Sequence, residues 1–69
     1  MPTNFSVEFD READGRWIAD IPELPGAMAY GLSREEACAN AQAIALRILA
    51  DRIEESKEAA QSFSFANCA

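Results

Sequence analysis

Few residues in this chain could do chemistry. Its 69 positions hold no histidine, only two cysteines (Cys38 and Cys68), and twelve carboxylates against six basic side chains. General acid–base catalysis most often uses histidine, and covalent catalysis needs an activated serine, cysteine or lysine. Cys38 falls beside Ala41 and Ala45 on the apolar side of a helical stretch, where a cysteine packs as a small hydrophobe. Cys68 is the penultimate residue and reads as an incidental thiol. Two distant cysteines without histidine make no zinc ligand set. Glu8 and Asp10 share a strand face, with Asp20 near them across a hairpin, and clustered carboxylates can hold a divalent ion. The alternation of a solvated sheet face already accounts for these three. Gly26 and Gly31 lack the spacing of a phosphate-cradling loop. The expectation is a chain that is not an enzyme and carries no metal or cofactor.

The bulk composition points the same way. A net charge of −6 and a pI near 4.3 argue against nucleic-acid binding, which needs basic side chains to displace counterions from phosphate. They suit a basic protein partner, because complementary fields speed encounter and disfavour wrong partners. With 49% hydrophobic and 26% charged residues, the chain reads as one globular domain over 1–69. A core this small is commonly supplemented by oligomerisation, metal or disulfides, and oligomerisation is the expected supplement here. Residues 1–4 are short and polar, without the apolar segment of a signal peptide. No apolar run approaches the roughly 20 residues that span a bilayer. A cytoplasmic protein with reduced thiols, and without a disulfide scaffold, is expected.

The elements that must position these residues follow from periodicity. Phe5, Val7 and Phe9 alternate with Ser6, Glu8 and Asp10, as in a half-buried strand. Asp14-Gly15 signals a hairpin with a type I′ turn. Residues 16–21 return as a second strand with Trp17, Ala19 and Ile21 on one face, and Ile18 interrupts the polar alternation of the other. Pro22 and Pro25 end that strand, Pro25-Gly26 suits the centre of a type II turn, and Leu24 should pin the loop to the core. A short third strand is expected over 27–30, with Gly31 turning the chain towards a helix.

The helix organises the chain. Ser33 is its N-cap, and Glu36 completes a capping box by reaching back to the Ser33 amide. Leu32 and Ala37 occupy hydrophobic-staple positions. At about 100° per residue, Glu36, Asn40, Arg47, Asp51 and Glu54 form one narrow polar stripe. Ala37, Cys38, Ala41, Ile44, Ala45, Ile48 and Leu49 lie to one side of it, and Ala39, Ala43, Leu46, Ala50 and Ile53 to the other. A surface helix usually needs an apolar stripe of only about 100°. The surplus around Leu46, Ala50 and Ile53 implies a second chain, as does the apolar pair Phe63 and Phe65. These five are the expected oligomer interface. No Gly or Pro ends the helix, which should stop between Ser56 and Gln61, and Phe63-Ser64-Phe65 resumes the alternation of a fourth strand. The fold class is thus α+β: a three-stranded antiparallel sheet packed by one long helix, with a C-terminal fourth strand.

The run Asp14-Gly-Arg-Trp-Ile-Ala-Asp-Ile-Pro-Glu-Leu-Pro-Gly26, followed by Tyr30-Gly31 and Ser33-Arg-Glu-Glu-Ala37, resembles the HicB family of antitoxins. The helix Ala45-Leu-Arg-Ile-Leu-Ala-Asp-Arg-Ile-Glu54 is similar to that family's helix. The resemblance covers about Phe5 to Glu55. It implies a partial ribonuclease-H-like fold without nuclease activity, a dimer or tetramer, and a function in toxin–antitoxin systems: neutralising a small basic HicA-type mRNA-cleaving toxin by occluding its active site. Many HicB proteins add a C-terminal DNA-binding domain. This sequence reaches only Ala69, so DNA binding is not expected of it. From position and chemistry, Asp20, Glu23 and Tyr30 are the expected partner-binding residues. The alternative is a structural or ligand-binding homo-oligomer with no toxin partner.

Overall fold

In the computed structural model, which describes residues 3–67, the alternating segment near the N-terminus forms two strands, β1 (Asn4–Ser6) and β2 (Glu8–Arg11), parted at Val7. The chain continues as β3 (Trp17–Asp20), β4 (Met28–Gly31), the helix α1 (Arg34–Ser56) and β5 (Ser64–Ala66). Strands β2, β3 and β4 form an antiparallel sheet in that order, and α1 packs against it, chiefly on β3 and β4. The α+β architecture matches the expectation. Strand β5 pairs in parallel with β1, placing Phe65 opposite Phe5.

The division at Val7 has a physical cause. Glu8 lies opposite Asp20, so two residues further back Ser6 would face Pro22. There β3 has already turned away, because the Leu24 N–H donates to the Ile21 carbonyl at 3.0 Å. The Glu23 side chain supplies the missing acceptor. Its carboxylate takes the Ser6 N–H at 3.1 and 3.3 Å and the Ser6 hydroxyl at 2.8 Å. On the other side of the strand the Val7 N–H donates to Ala66 O at 3.0 Å. The first strand therefore changes partner, from β3 to β5, where β3 runs out.

The β2–β3 hairpin forms where Asp14-Gly15 signals it, but with a different turn. The Gly15 N–H donates to Glu12 O at 2.9 Å, the Glu12 N–H donates to Arg16 O at 2.7 Å, and within the loop only Gly15 has positive φ, at 92°. A type I′ turn needs two such residues. This is instead a three-residue loop closed by one left-handed glycine. The second turn is as expected: Ala27 N–H donates to Leu24 O at 2.9 Å, with Pro25 second and Gly26 third at φ 95°. Leu24 is fully buried, so it does pin the loop.

Strand β4 runs one residue beyond the expected 27–30 and takes in Gly31, which does not turn the chain. Gly31 sits under the first turn of α1, where a β-carbon would collide with the backbone of Glu36 and Ala37. Small residues continue along this interface. Ala19 and Ala29 on the sheet, and Ala37, Ala41 and Ala45 on the helix, are all buried. A helix can approach a sheet closely only where side chains are this short. Phe5, Val7, Ile21 and Leu49 add larger side chains to the same core.

Ser33 caps α1 as expected, accepting from the Glu36 N–H at 3.1 Å. The Glu36 carboxylate reaches one residue further than expected, to the Leu32 N–H at 3.1 Å. Leu32 is 78% exposed, so the staple does not form. The helix ends at Ser56, where Lys57 takes the left-handed conformation (φ 60°) and donates its N–H to Ile53 O at 2.8 Å. A lysine here does what glycine usually does at a helix C-terminus.

Candidate functional site

The alternation of β2, β3 and β4 gives the sheet two faces, and α1 covers one. The other carries Glu8 and Asp10 from β2, Ile18 and Asp20 from β3, and Met28 and Tyr30 from β4. Register sets these in two rows: Asp10, Ile18 and Tyr30 lie side by side, as do Glu8, Asp20 and Met28. Met28 is 47% and Tyr30 40% exposed. A shallow groove of about 350 Å³ is lined by Glu8, Phe9, Asp10, Ile18, Asp20 and Met28. An apolar strip thus crosses the uncovered face of the sheet, bordered along β2 by carboxylates.

Neighbouring contacts hold this face in shape. The Arg16 guanidinium stands 4.6 Å from the Tyr30 ring centroid, a cation–π contact that orients the ring. Arg16 itself is held by Asp14, whose carboxylate accepts from the Arg16 N–H at 3.1 Å and from its Nε at 2.8 Å. The Arg16 N–H is the main cause holding the Asp14 carboxyl below its usual value, with the guanidinium adding to it. The pair is exposed, which limits its contribution to stability. On the inner side, the Asn40 side-chain amide donates to Tyr30 O at 2.9 Å, tying the β4 backbone to α1.

Of the three expected partner-binding residues, Asp20 and Tyr30 come together on this face. Glu23 lies in the following loop with its carboxylate directed at Ser6, whose hydroxyl is the main cause of its lowered pKa. Ile18 and Met28 complete the apolar strip. Ile18 was legible as the residue that broke the polar alternation, and alternation along the third strand sets Met28 on the same face as Tyr30, whereas its place beside Asp20 came only from register. Glu8, Asp10 and Asp20 share the face, yet among the described residues no group of acidic, cysteine or histidine side chains is arranged to hold a metal.

The expected oligomer residues divide in two. Leu46 (42% exposed) and Ala50 lie open on the outside of α1, and Ile53 is half-buried. Phe63 and Phe65 pack against the chain's own core, Phe65 stacking on Phe5 with ring centroids 5.5 Å apart, although both stay partly exposed. No described helix is long and apolar enough to cross a membrane.

Cys38 corrects an expectation. It is buried, as its place on the helix implies, but it is disulfide-bonded rather than a free thiol. Cys68, read above as an incidental thiol, lies outside the described residues.

No protein-family model matches this chain, and neither a curated protein nor a solved structure matches it significantly.

Proposed function

We propose that this chain is an antitoxin-type binding protein whose uncovered sheet face docks a small basic protein, and that it belongs to the HicB type with a partial ribonuclease-H-like fold. The supporting observation is that face: Ile18, Met28 and Tyr30 form an apolar strip bordered by Glu8, Asp10 and Asp20. Apolar surface supplies affinity when it is desolvated, an exposed tyrosine is a common hot-spot residue, and a carboxylate border selects a cationic partner. The net charge of −6 adds long-range steering in the same sense. The partner's chemistry is that of a basic, HicA-type mRNA-cleaving protein, whose catalytic surface must itself be cationic to hold RNA. Binding there by an acidic face blocks RNA without any reaction. The chain works in the cytoplasm and binds neither DNA nor a cofactor.

The test is co-expression with any small basic reading frame found adjacent to this one. Co-purification together with suppression of that protein's RNA cleavage is the expected result. Cleavage unaffected by a molar excess of this chain would remove the proposal.

A second reading, a homo-oligomer without a toxin, draws on a separate observation. Leu46 and Ala50 leave an apolar strip on the outside of α1, where Ala39 and Ala43 are exposed as well. The two readings are compatible, since a dimer built through α1 leaves the opposite face of the sheet open. The absence of any small basic neighbour, together with a stable dimer, would favour the second reading alone.

A further inference from the structure

Strand β4 is the last strand of the antiparallel sheet, and no described strand pairs with its outer edge. The Ile21 N–H donates to Ala27 O at 2.9 Å, and the same register sets Ala29 opposite Ala19 and Gly31 opposite Trp17. In an antiparallel ladder alternate residues bond to the neighbouring strand. Met28 and Tyr30 therefore direct their N–H and C=O groups outwards. Two of these four groups are occupied within the chain. The Met28 N–H donates to Gly26 O at 3.0 Å, and Tyr30 O accepts from the Asn40 side chain at 2.9 Å. The Tyr30 N–H and Met28 O have no partner among the described residues.

The side chains along this edge stand out in an acidic chain. Residues 27–32 read Ala-Met-Ala-Tyr-Gly-Leu, a run without a charge in a sequence of net −6. Met28, Tyr30 and Leu32 are three of the four large hydrophobic side chains exposed among the described residues. Edge strands that stay single are commonly guarded by lysine, proline or a bulge. Strand β4 has none of the three. We propose that β4 pairs antiparallel with β4 of a second copy of this chain, about a two-fold axis at Ala29, so that the two sheets become one.

Self-complementarity selects this occupant. An axis at Ala29 sets Tyr30 opposite Met28 of the second copy, so each unpaired N–H meets an unpaired carbonyl, twice over. An axis at Met28 or Tyr30 would instead turn each of them towards a group already occupied: the Met28 N–H, Gly26 O, Tyr30 O or the Leu32 N–H, which donates to Glu36. Charge agrees. Two copies of net −6 repel, and pairing along β2 would oppose Glu8 and Asp10 to their like, whereas β4 brings uncharged residues together. The Tyr30 ring then meets the Met28 thioether of the second copy, a favourable sulfur–aromatic pair. Leu32 falls beside the second copy's Gly26, which has open space around it. The apolar strips also join: Ile18 and Tyr30 of one copy continue into Met28 of the other, with Asp10 at one end of the row and Asp20 and Glu8 at the other. The pairing uses neither Leu46 nor Ala50, and it rests on no reading of what the uncovered face binds.

The experiment is amide exchange on the full chain at falling concentration, with mass followed by light scattering. Where the chain is a dimer, the Tyr30 amide should exchange about tenfold more slowly than in the diluted monomer. The Ala29 amide, which faces β3, should be protected in both. Met28→Lys brings a lysine beside the Arg16 that covers Tyr30 of the second copy. It should raise the dissociation constant by about tenfold or more, with an unchanged circular dichroism spectrum. Because it makes each copy less negative, relief of overall repulsion predicts the opposite change. Leu46→Glu should leave this dimer intact. A chain that is monomeric throughout, equal Tyr30 exchange in monomer and dimer, a dimer insensitive to Met28→Lys, or a monomer produced by Leu46→Glu would each overturn the pairing.

Discussion

Gly31 and Ala37 meet backbone to backbone: a β-carbon on Gly31 would stand 2.8 Å from the Ala37 Cα. This contact sets the distance at which α1 begins its path across the sheet, because β4 and the first turn of the helix touch there without side chains between them. Gly31→Ala forces the two elements apart and should destabilise the fold by about 3 kcal/mol, the upper part of the overpacking range. For a domain of this size that lowers the melting temperature by more than ~10 °C. Gly26→Ala offers the comparison. It has open space around it but φ of 95°, so only the left-handed penalty of about 1–2 kcal/mol applies. Equal melting temperatures for the two variants would show that the close contact is not what matters at Gly31.

The origin of such contacts explains which parts of the structure the sequence made legible. The two faces of α1, its Ser33 cap, the hairpin at Asp14-Gly15 and the type II turn at Pro25-Gly26 are all written in local spacing, and all are present. Interactions between distant segments were not legible. Glu23 read as a partner-binding carboxylate because nothing near it in sequence signals Ser6, seventeen residues earlier. The break at Val7 was hidden for the same reason, because it follows from where β3 turns away at Ile21. Lys57 gave no sign of a left-handed cap, since the residue type does not favour one. Cys38 read as a plain core residue because nothing in the sequence around it signals a disulfide. At the candidate site, the alternation placed Asp20 and Tyr30 on their strands, but only register could set Met28 between Asp20 and the open edge of β4.

The Glu23–Ser6 contact predicts a pH dependence. The Ser6 hydroxyl and amide hold the Glu23 carboxyl below its ordinary value of 4.5, so the folded state favours the ionised form. That contribution to stability is fully present above pH 4.5 and is lost as pH falls through the lowered folded-state value. The Ser6 amide resonance should therefore titrate with a midpoint below 4.5. Glu23→Gln should abolish the titration, leaving the amide bonded to a neutral oxygen. A Ser6 midpoint at or above 4.5 would show that the carboxylate does not rest on this amide in solution.

Leu46 and Leu49 test the division of the helix surface. Leu49 is 1% exposed in the core, so Leu49→Ala should cost about 3 kcal/mol through lost burial and the cavity left behind. Leu46, three residues earlier, faces outwards, and Leu46→Glu should leave the fold of a single chain intact. If the outside of α1 joins two copies, Leu46→Glu should lower the mass measured by light scattering from at least a dimer to a monomer, with an unchanged circular dichroism spectrum. A wild-type chain that is already monomeric at micromolar concentration would exclude the dimer.

The uncovered sheet face makes the most specific demand. Asp20 lies between Glu8 and Met28, at the junction of the carboxylate border and the apolar strip. Asp20→Lys should weaken binding of the basic partner at least tenfold, since it sets like charges opposed at a desolvated contact. Glu58→Lys is the control, because it alters the net charge by the same amount on an exposed residue beyond the end of α1. Both raise the formal charge from −6 to −4, so a loss caused by steering alone would be equal in the two variants and would vanish at high salt. A contact at this face instead predicts that Asp20→Lys speeds dissociation and that Glu58→Lys does not. Equal losses confined to the association rate would leave the acidic charge as a steering field and remove the docking role from Glu8, Asp20 and Met28.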